Sequence, residues 1–429
     1  MFFAYNLIST VLVLLGLPFF LIKLMTTPKY RPGAAQRLGF YPKETAEKLR
    51  GHEVLWIHAV SVGEVIAALP LVRELRRRYP ERKIVVTTVT ATGNRIAHSQ
   101  AKEADVILFF PFDLKPIVNK AILLIHPSLF ILIETEIWPN CIHVLFGEKV
   151  PALIVNGRIS QGSFSGYRRI RFLMKRVLAE ITAFSMQTGE DARRIISLGA
   201  PPERVRNAGN IKFDISARPL TRIEAQQIRH DFLLPSEGPI LIAGSTHPGE
   251  EEIILAHYGE LRKIHPDLTL ILAPRHPERC GAVEALLQKI GFTYQKRSQP
   301  EPGKEVLLLD TVGELSRLYG IATVAFVGGS LVPHGGHNIL EPAVYGVPVL
   351  FGPHMENFPE ISQVMKARQG GIKCDGDTQF GRVLGELLKD RTKRETIGRA
   401  GRSIIEENQG ALKKTLNLID QLLSTQQTG

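Results

Sequence analysis

The chain has 429 residues, 44% hydrophobic and 22% charged, with a formal net charge of +11. That length and composition suit two globular domains plus an appendage and exclude a disordered or fibrous chain. The basic balance asks for an anionic partner, while three widely separated cysteines, Cys141, Cys280 and Cys374, exclude a disulfide framework and argue against a structural zinc site.

Residues 2–22 carry no charge. At helical rise such a run spans roughly 30 Å, enough to cross a hydrocarbon core. No basic start precedes it and no small-residue cleavage site follows it, so it reads as an anchor rather than a secretory signal. Asn6, Ser9 and Thr10, with Pro18, equally admit a helix lying in the interface. Lys23, Lys29, Arg31, Arg37, Lys43, Lys48 and Arg50 then stand against only Glu44 and Glu47. By the positive-inside rule this flank is cytoplasmic. The expectation is an anchor over 1–24 and a large cytoplasmic body.

From residue 52 short apolar runs alternate with amphipathic stretches. Strands are expected at 54–58, 83–89, 106–110, 129–133, 152–155, 183–186 and 205–207, with helices between them. A second array starts near 238, with strands at 240–243, 269–273, 306–309, 324–327 and 347–350. Buried strands separated by helices imply parallel sheets covered on both faces. The division is therefore an α/β domain over 25–215, a polar linker over 216–237, a second α/β domain over 238–376, and helices over 377–429 that can cross back to the first domain. Two doubly wound domains suggest a cleft lined by strand C-terminal edges, with a nucleotide on one side and an acceptor on the other.

The candidate chemistry lies at strand ends. Val60-Ser61-Val62-Gly63-Glu64 puts a carboxylate on the first turn of a helix after the first strand. Alone, it need only complement the helix dipole, worth about 0.3–1 kcal/mol. In the second array, residues 328–342 form a glycine-rich loop that opens a helix, suited to a phosphate or carboxylate. Asn338 and Glu341 in it are three apart and share a helix face, where the carboxylate can accept both ribose hydroxyls; the pair can also be a cap. Arg275, between Pro274 and His276, offers a fork of donors. Val312, Gly313 and Glu314 follow another strand, and Gly244-Ser245-Thr246-His247 a fourth. Residues 158–176 contain no acid but carry Arg158, Arg168, Arg169, Arg171, Lys175 and Arg176, interleaved with Phe164, Tyr167, Phe172 and Leu173. Such a stretch suits an anionic lipid, or is a solvated helix face. No nucleic-acid motif is present.

Together these loops, with Glu134-Thr135-Glu136-Ile137-Trp138-Pro139-Asn140, Asn156-Gly157-Arg158-Ile159-Ser160, Gly209-Asn210-Ile211-Lys212-Phe213-Asp214, Pro274-Arg275-His276-Pro277-Glu278-Arg279 and Gly335-Gly336-His337-Asn338 with Glu341-Pro342, make the chain resemble the bacterial Kdo transferases. These enzymes move 3-deoxy-D-manno-octulosonic acid (Kdo) from CMP-Kdo to a lipid A precursor, lipid IVA, in lipopolysaccharide synthesis at the inner membrane. The resemblance implies a GT-B fold and an inverting, metal-independent transfer without a cofactor. It implies Glu64 as general base, and Glu134 and Lys212 as transition-state stabilisers. Glu136 is the reserve, since it shares a side with Glu134 if the strand continues. CMP would lie on Pro274, Arg275, His276, Val312, Gly313, Glu314, Asn338, Ile339, Leu340 and Glu341. The acceptor would meet Arg158, Arg168, Arg169 and Arg171. As a base, Glu64 must open into the cleft rather than fold back onto its own helix cap. No Asp-x-Asp pair marks a metal site; Asp113 and Asp214 are isolated. The alternatives are a transferase or epimerase using a UDP-sugar, and a non-catalytic anchored binder.

Overall fold

A computed structural model of the protein describes residues 32–215 and 217–427, together with residues 5–7, 10, 11, 15, 16 and 26. The stretch read as the anchor lies mostly outside the described residues. Among those described, no helix is long and apolar enough to cross a membrane. The chain divides into two compact units, residues 1–214 with 409–429, and residues 215–408.

The first unit holds a parallel sheet of β1 (Val54–His58), β2 (Lys83–Thr88), β3 (Val106–Phe109), β4 (Pro127–Ile133), β5 (Ala152–Gly157), β6 (Ala183–Met186) and β7 (Val205–Asn207). Their order is β3-β2-β1-β4-β5-β6-β7, so the order of strand addition reverses between β1 and β4 while the strands stay parallel. All five residues of β1 are buried. Successive side chains leave a strand on opposite faces. Val54 and Trp56 enter one apolar layer with Phe110 and Phe130, whereas Leu55 and Ile57 enter the other with Val65 and Leu71. A sheet buried on both faces requires the continuous apolar runs seen in these strands.

Helix Val62–Arg78 buries Val65, Ala68, Leu71, Val72 and Leu75 against that second layer, and ends in Arg76, Arg77 and Arg78. Cations at a helix C-terminus complement the macrodipole. The terminal helix Ala411–Gln427 belongs to this same unit. It adds Ala411, Leu416, Ile419 and Leu423 to the layer. It is pinned by Asp420, which takes Arg78 at 2.6 Å, and by Asp214, which accepts from the Gly410 and Leu412 N–H groups. Ile419 is fully buried. Ile419→Ala should destabilise the first unit by about 2–5 kcal/mol in a denaturant titration.

The second unit repeats the plan with β8 (Ile240–Thr246), β9 (Thr269–Pro274), β10 (Tyr294–Lys296), β11 (Val306–Leu308), β12 (Val324–Val327), β13 (Val349–Phe351) and β14 (Ile372–Lys373). The order is β10-β11-β9-β8-β12-β13-β14, which reverses between β8 and β12. Strands β10 and β14 are additions to the sequence reading. Both are short edge strands whose polar residues carry no apolar run. The stretch 216–237 is more than a linker. Its helix Arg222–Asp231 begins with a capping box of Thr221 and Glu224. Ile228, Phe232 and Leu234 then pack under Ile240 and Ile242. Helices Asp377–Lys389 and Arg391–Asn408 stay with the second unit, Phe380 and Leu384 packing near Phe326.

Candidate active site

Open α/β sheets bind ligands outside the strand C-termini where strand order reverses. In the first unit that place lies between β1 and β4. The residue after β4 is Glu134, and the helix after β1 carries Glu64 in its first turn.

Glu64 is 7% exposed. Its carboxylate accepts from the Val60 N–H at 2.7 Å and from the Ser61 hydroxyl at 3.0 Å. It therefore folds back onto its own cap, contrary to the expectation of an open carboxylate. The physical reason is local: these are orphan donors at a buried helix start, and a carboxylate four residues on is the nearest acceptor. A carboxylate has about four lone-pair sites, so each Glu64 oxygen keeps one unused. Burial pushes its pKa up to about 7, with Glu134 and Glu136 adding to the rise while the Val60 and Ser61 hydrogen bonds oppose it.

Strand β4 stops at Ile133, and Glu134 takes a left-handed backbone with φ of 61°. Glu134 and Glu136 therefore do not share a strand face, which corrects the alternation argument. Lys212 Nζ lies 3.4 Å from Glu134 Oε1. Lys212 is placed by a polar network. Asn210 accepts from the Lys212 N–H, and Asn156 accepts from the Ile211 N–H, both at 3.0 Å. Gln187 ties the two asparagines together. Glu136 is exposed, and partial desolvation with Glu134 nearby raises its pKa. Tyr167 braces the turn by donating to the Thr135 carbonyl. The first unit thus gathers Glu64, Glu134, Glu136 and Lys212 at one edge of its sheet. Asp113 is engaged structurally, accepting from the Asn140 and Cys141 N–H groups.

The basic stretch forms two helices, Gln161–Arg169 and Arg171–Ala179, broken at Ile170. Arg168, Arg169, Lys175 and Arg176 are exposed. Phe172 is 69% exposed beside them, whereas Leu173 is buried. Arg171 donates to the Ser197 carbonyl. The Arg158 carbonyl accepts from the Thr135 hydroxyl.

In the second unit the reversal point lies between the loop after β8, with His247, and the glycine-rich loop after β12. Glu250 is fully buried. It accepts four backbone N–H groups: Gly329 at 2.7 Å, Leu331 at 2.9 Å, and Ser330 and His247 at 3.0 Å. A cluster of N–H groups was expected to hold a ligand phosphate. At Gly329–Leu331 an internal carboxylate already fills it, so only the distal part of the loop remains for a ligand. Gly328 is required here, because a Cβ would strike the Ser245 carbonyl. Beside Glu250, the buried Glu251 takes Arg279 at 2.8 Å and the Thr246 hydroxyl at 2.9 Å.

Farther along, Asn338 Oδ1 accepts from the Leu340 N–H at 3.1 Å. Burial raises the Glu341 pKa to about 7 while Arg275 and Asn338 pull it down. Arg275 and Glu341 therefore face the same small region. The Arg275 N–H is held by the Thr246 carbonyl, and Pro274 ends β9. Ile339 and Leu340 side chains are fully buried, so these residues can offer a ligand only backbone. Glu314 is engaged by Arg297 at 3.0 Å and by Thr311, leaving Gly313 and the exposed Val312 at the tip of that turn. His276 is exposed near His247.

Sequence reasoning gave no role to Glu250, Glu251, Gln187 or the pairing of His247 with His337, and quoted Asn156 only as part of a motif. The signal available for Glu250 was an acidic triplet, Glu250-Glu251-Glu252, that follows the strand-end His247 after Pro248 and Gly249.

Two parallel α/β units with polar loops at both reversal points agree with the GT-B class. The UDP-GlcNAc 2-epimerase of Neisseria meningitidis shares this fold, with a TM-score of 0.51 over 86% of this chain and 100% of that one, at 14% identity. A family model described as 3-deoxy-D-manno-octulosonic-acid transferase (kdotransferase) matches residues 33–215. The chain is 39% identical to the 3-deoxy-D-manno-octulosonic acid transferase of Haemophilus influenzae, over 92% of this chain and 93% of that protein. It is 32% identical to the transferase of the same name from Bordetella pertussis, over 86% and 87%. The chain belongs to the 3-deoxy-D-manno-octulosonic acid transferase family, and is a glycosyltransferase.

Proposed function

We propose that the protein transfers Kdo from CMP-Kdo to a phosphorylated lipid A precursor, lipid IVA, at the cytoplasmic face of the inner membrane. The observation that carries this reading is Glu64: a carboxylate buried at a sheet reversal point near Glu134, where burial pushes its pKa up to about 7. A general base works best with a pKa near the operating pH. Glu64 accepts the proton of the acceptor hydroxyl on a lone pair not used by Val60 or Ser61. The oxygen so activated attacks the anomeric carbon of Kdo, the bond from that carbon to the phosphate oxygen breaks, and CMP leaves with inversion. Lys212, held against Glu134, supplies positive charge as negative charge develops.

CMP binds on the second unit. Glu341 accepts the ribose hydroxyls, and Arg275 with the backbone of residues 312–313 and 338–340 holds the nucleotide. The acceptor phosphates meet the exposed Arg168 and Arg169, with Arg158 and Arg171 near them in sequence. An anchor at the N-terminal end keeps that helix pair at the membrane. The chemistry as written uses protein side chains for the base and the charge, and calls for no metal or cofactor. Donor competition tests the reading. Purified protein should turn over CMP-Kdo and leave UDP-sugars untouched; turnover of a UDP-sugar with none of CMP-Kdo would contradict it.

A further inference from the structure

Four histidines crowd the reversal point of the second sheet. His247 Nε2 and His337 Nε2 lie 3.0 Å apart, and their rings are within 8° of parallel. His334 stacks on His247 with ring centroids 4.1 Å apart, and His276 stands edge-on at 6.0 Å. Two imidazole nitrogens at that distance cannot both carry protons. One must donate its N–H to the lone pair of the other, so a single proton lies between the two Nε2 atoms. Gly329 leaves room for this contact: a Cβ there would come within 3.1 Å of the His337 ring and 3.3 Å of the His247 ring.

The surroundings keep the pair from charging on its own. Burial lowers the His247 pKa to about 4 and that of His337 to about 3, with His334, His276, Arg275 and Arg279 pushing the same way. The nearby carboxylates do not offset this. Glu250 spends both oxygens on four backbone N–H groups, and Glu251 is committed to Arg279 and Thr246. Glu341 faces Arg275, and its own ionisation is suppressed by burial. On the loop after β13, His354 is paired with Glu356 at 3.5 Å. Positive and protonatable groups therefore converge on a place where the neighbouring carboxylates among the described residues are already engaged or suppressed. Among the described residues no three such side chains gather as a metal site would need.

We propose that the His247–His337 pair takes up one proton from solvent when the phosphate of the cytidine nucleotide binds, so that both Nε2–H groups donate to phosphate oxygens. The inference rests on the reading of the second unit as the CMP side. No covalent bond changes: the shared hydrogen bond opens, the proton adds to the bare Nε2, and one imidazolium forms against the anion. An anion within hydrogen-bond reach favours the charged imidazole and reverses the effect of burial. Product CMP is a dianion above its second phosphate pKa of about 6, so the pair holds the leaving group most strongly after the sugar bond has broken. Over the interval between the free and bound pKa values, CMP affinity falls about tenfold per pH unit as pH rises.

Calorimetric titration of the full-length protein with CMP, in buffers of contrasting ionisation heat from pH 6 to 8, tests this. The expected result is net proton uptake per CMP bound by the wild type. That uptake is lost in His337→Asn, which keeps a hydrogen-bond donor but cannot titrate. CMP heat that is independent of buffer in the wild type overturns the proposal, as does uptake undiminished in H337N. Absence of any CMP heat overturns the donor reading itself. Buffer-independent CMP heat in the wild type overturns the proposal even if the variant does not fold, and His247→Asn then serves as the second variant.

Discussion

Glu64→Gln should lower the rate of Kdo transfer by about 10²–10⁴-fold and, at pH 8, make the protein more stable. The two effects share one cause. The folded-state pKa of Glu64 is raised to about 7, chiefly by burial. A carboxyl shifted upward costs nothing below its unfolded pKa. The cost grows as pH rises toward 7 and is constant above, where the shift corresponds to about 3 kcal/mol. Glutamine removes the buried charge and with it the proton acceptor. Its amide oxygen can still accept from either Val60 N–H or the Ser61 hydroxyl. Thermal unfolding at pH 4 and pH 8 should therefore show a gain only at the higher pH. The wild-type rate should rise with pH and level off near 7, following ionisation of the base. A Glu64→Gln variant that transfers Kdo at the wild-type rate would remove Glu64 from the chemistry.

Glu250→Gln is expected to be the most damaging single change in the second unit. One Glu250 oxygen accepts from Ser330 and Leu331, and the other from His247 and Gly329. An amide can keep one of these pairs, but its NH₂ must then face two N–H donors that are out of reach of water. A buried unsatisfied donor costs about 1–3 kcal/mol, and a repulsive one more, so a loss of about 3–5 kcal/mol is expected in chemical denaturation. The same carboxylate fastens the loop after β8 to the loop after β12. CMP affinity should fall with stability, although Glu250 has no oxygen left for a ligand. Unaltered stability would show that the loops hold their shape without it.

These two glutamates also show where a sequence stops being readable. The strands 54–58 and 240–243 were legible because a sheet covered on both faces demands unbroken apolar runs, and the sequence has them. Strands β10 and β14 were not, because a short edge strand gets its hydrogen bonds from a neighbour and needs no apolar pattern of its own. The reversal-point loops were legible as glycine-bearing polar turns after strands. What each side chain does there was less so. The spacing from Val60 to Glu64 is the same whether the carboxylate caps the helix or opens away from it, and only the structure distinguishes them. Glu134 looked like a continuation of β4, but the chain turns left-handed at that residue. Glu250 finds Gly329 79 residues away and Leu331 81 away, contacts no local pattern encodes. His247 and His337 are 90 apart and become partners only because β8 and β12 lie side by side.

Kdo transfer to a phosphorylated lipid would be read from the mass of the lipid product. Purified protein would be incubated with CMP-Kdo and a tetra-acylated, bisphosphorylated lipid A precursor. Lipid carrying one or more added Kdo residues should form, with CMP released in equal amount, and at least about a hundredfold more slowly with Glu64→Gln. Recovery of the precursor unchanged while CMP-Kdo remains intact, under conditions where the protein is folded and binds CMP, would contradict it.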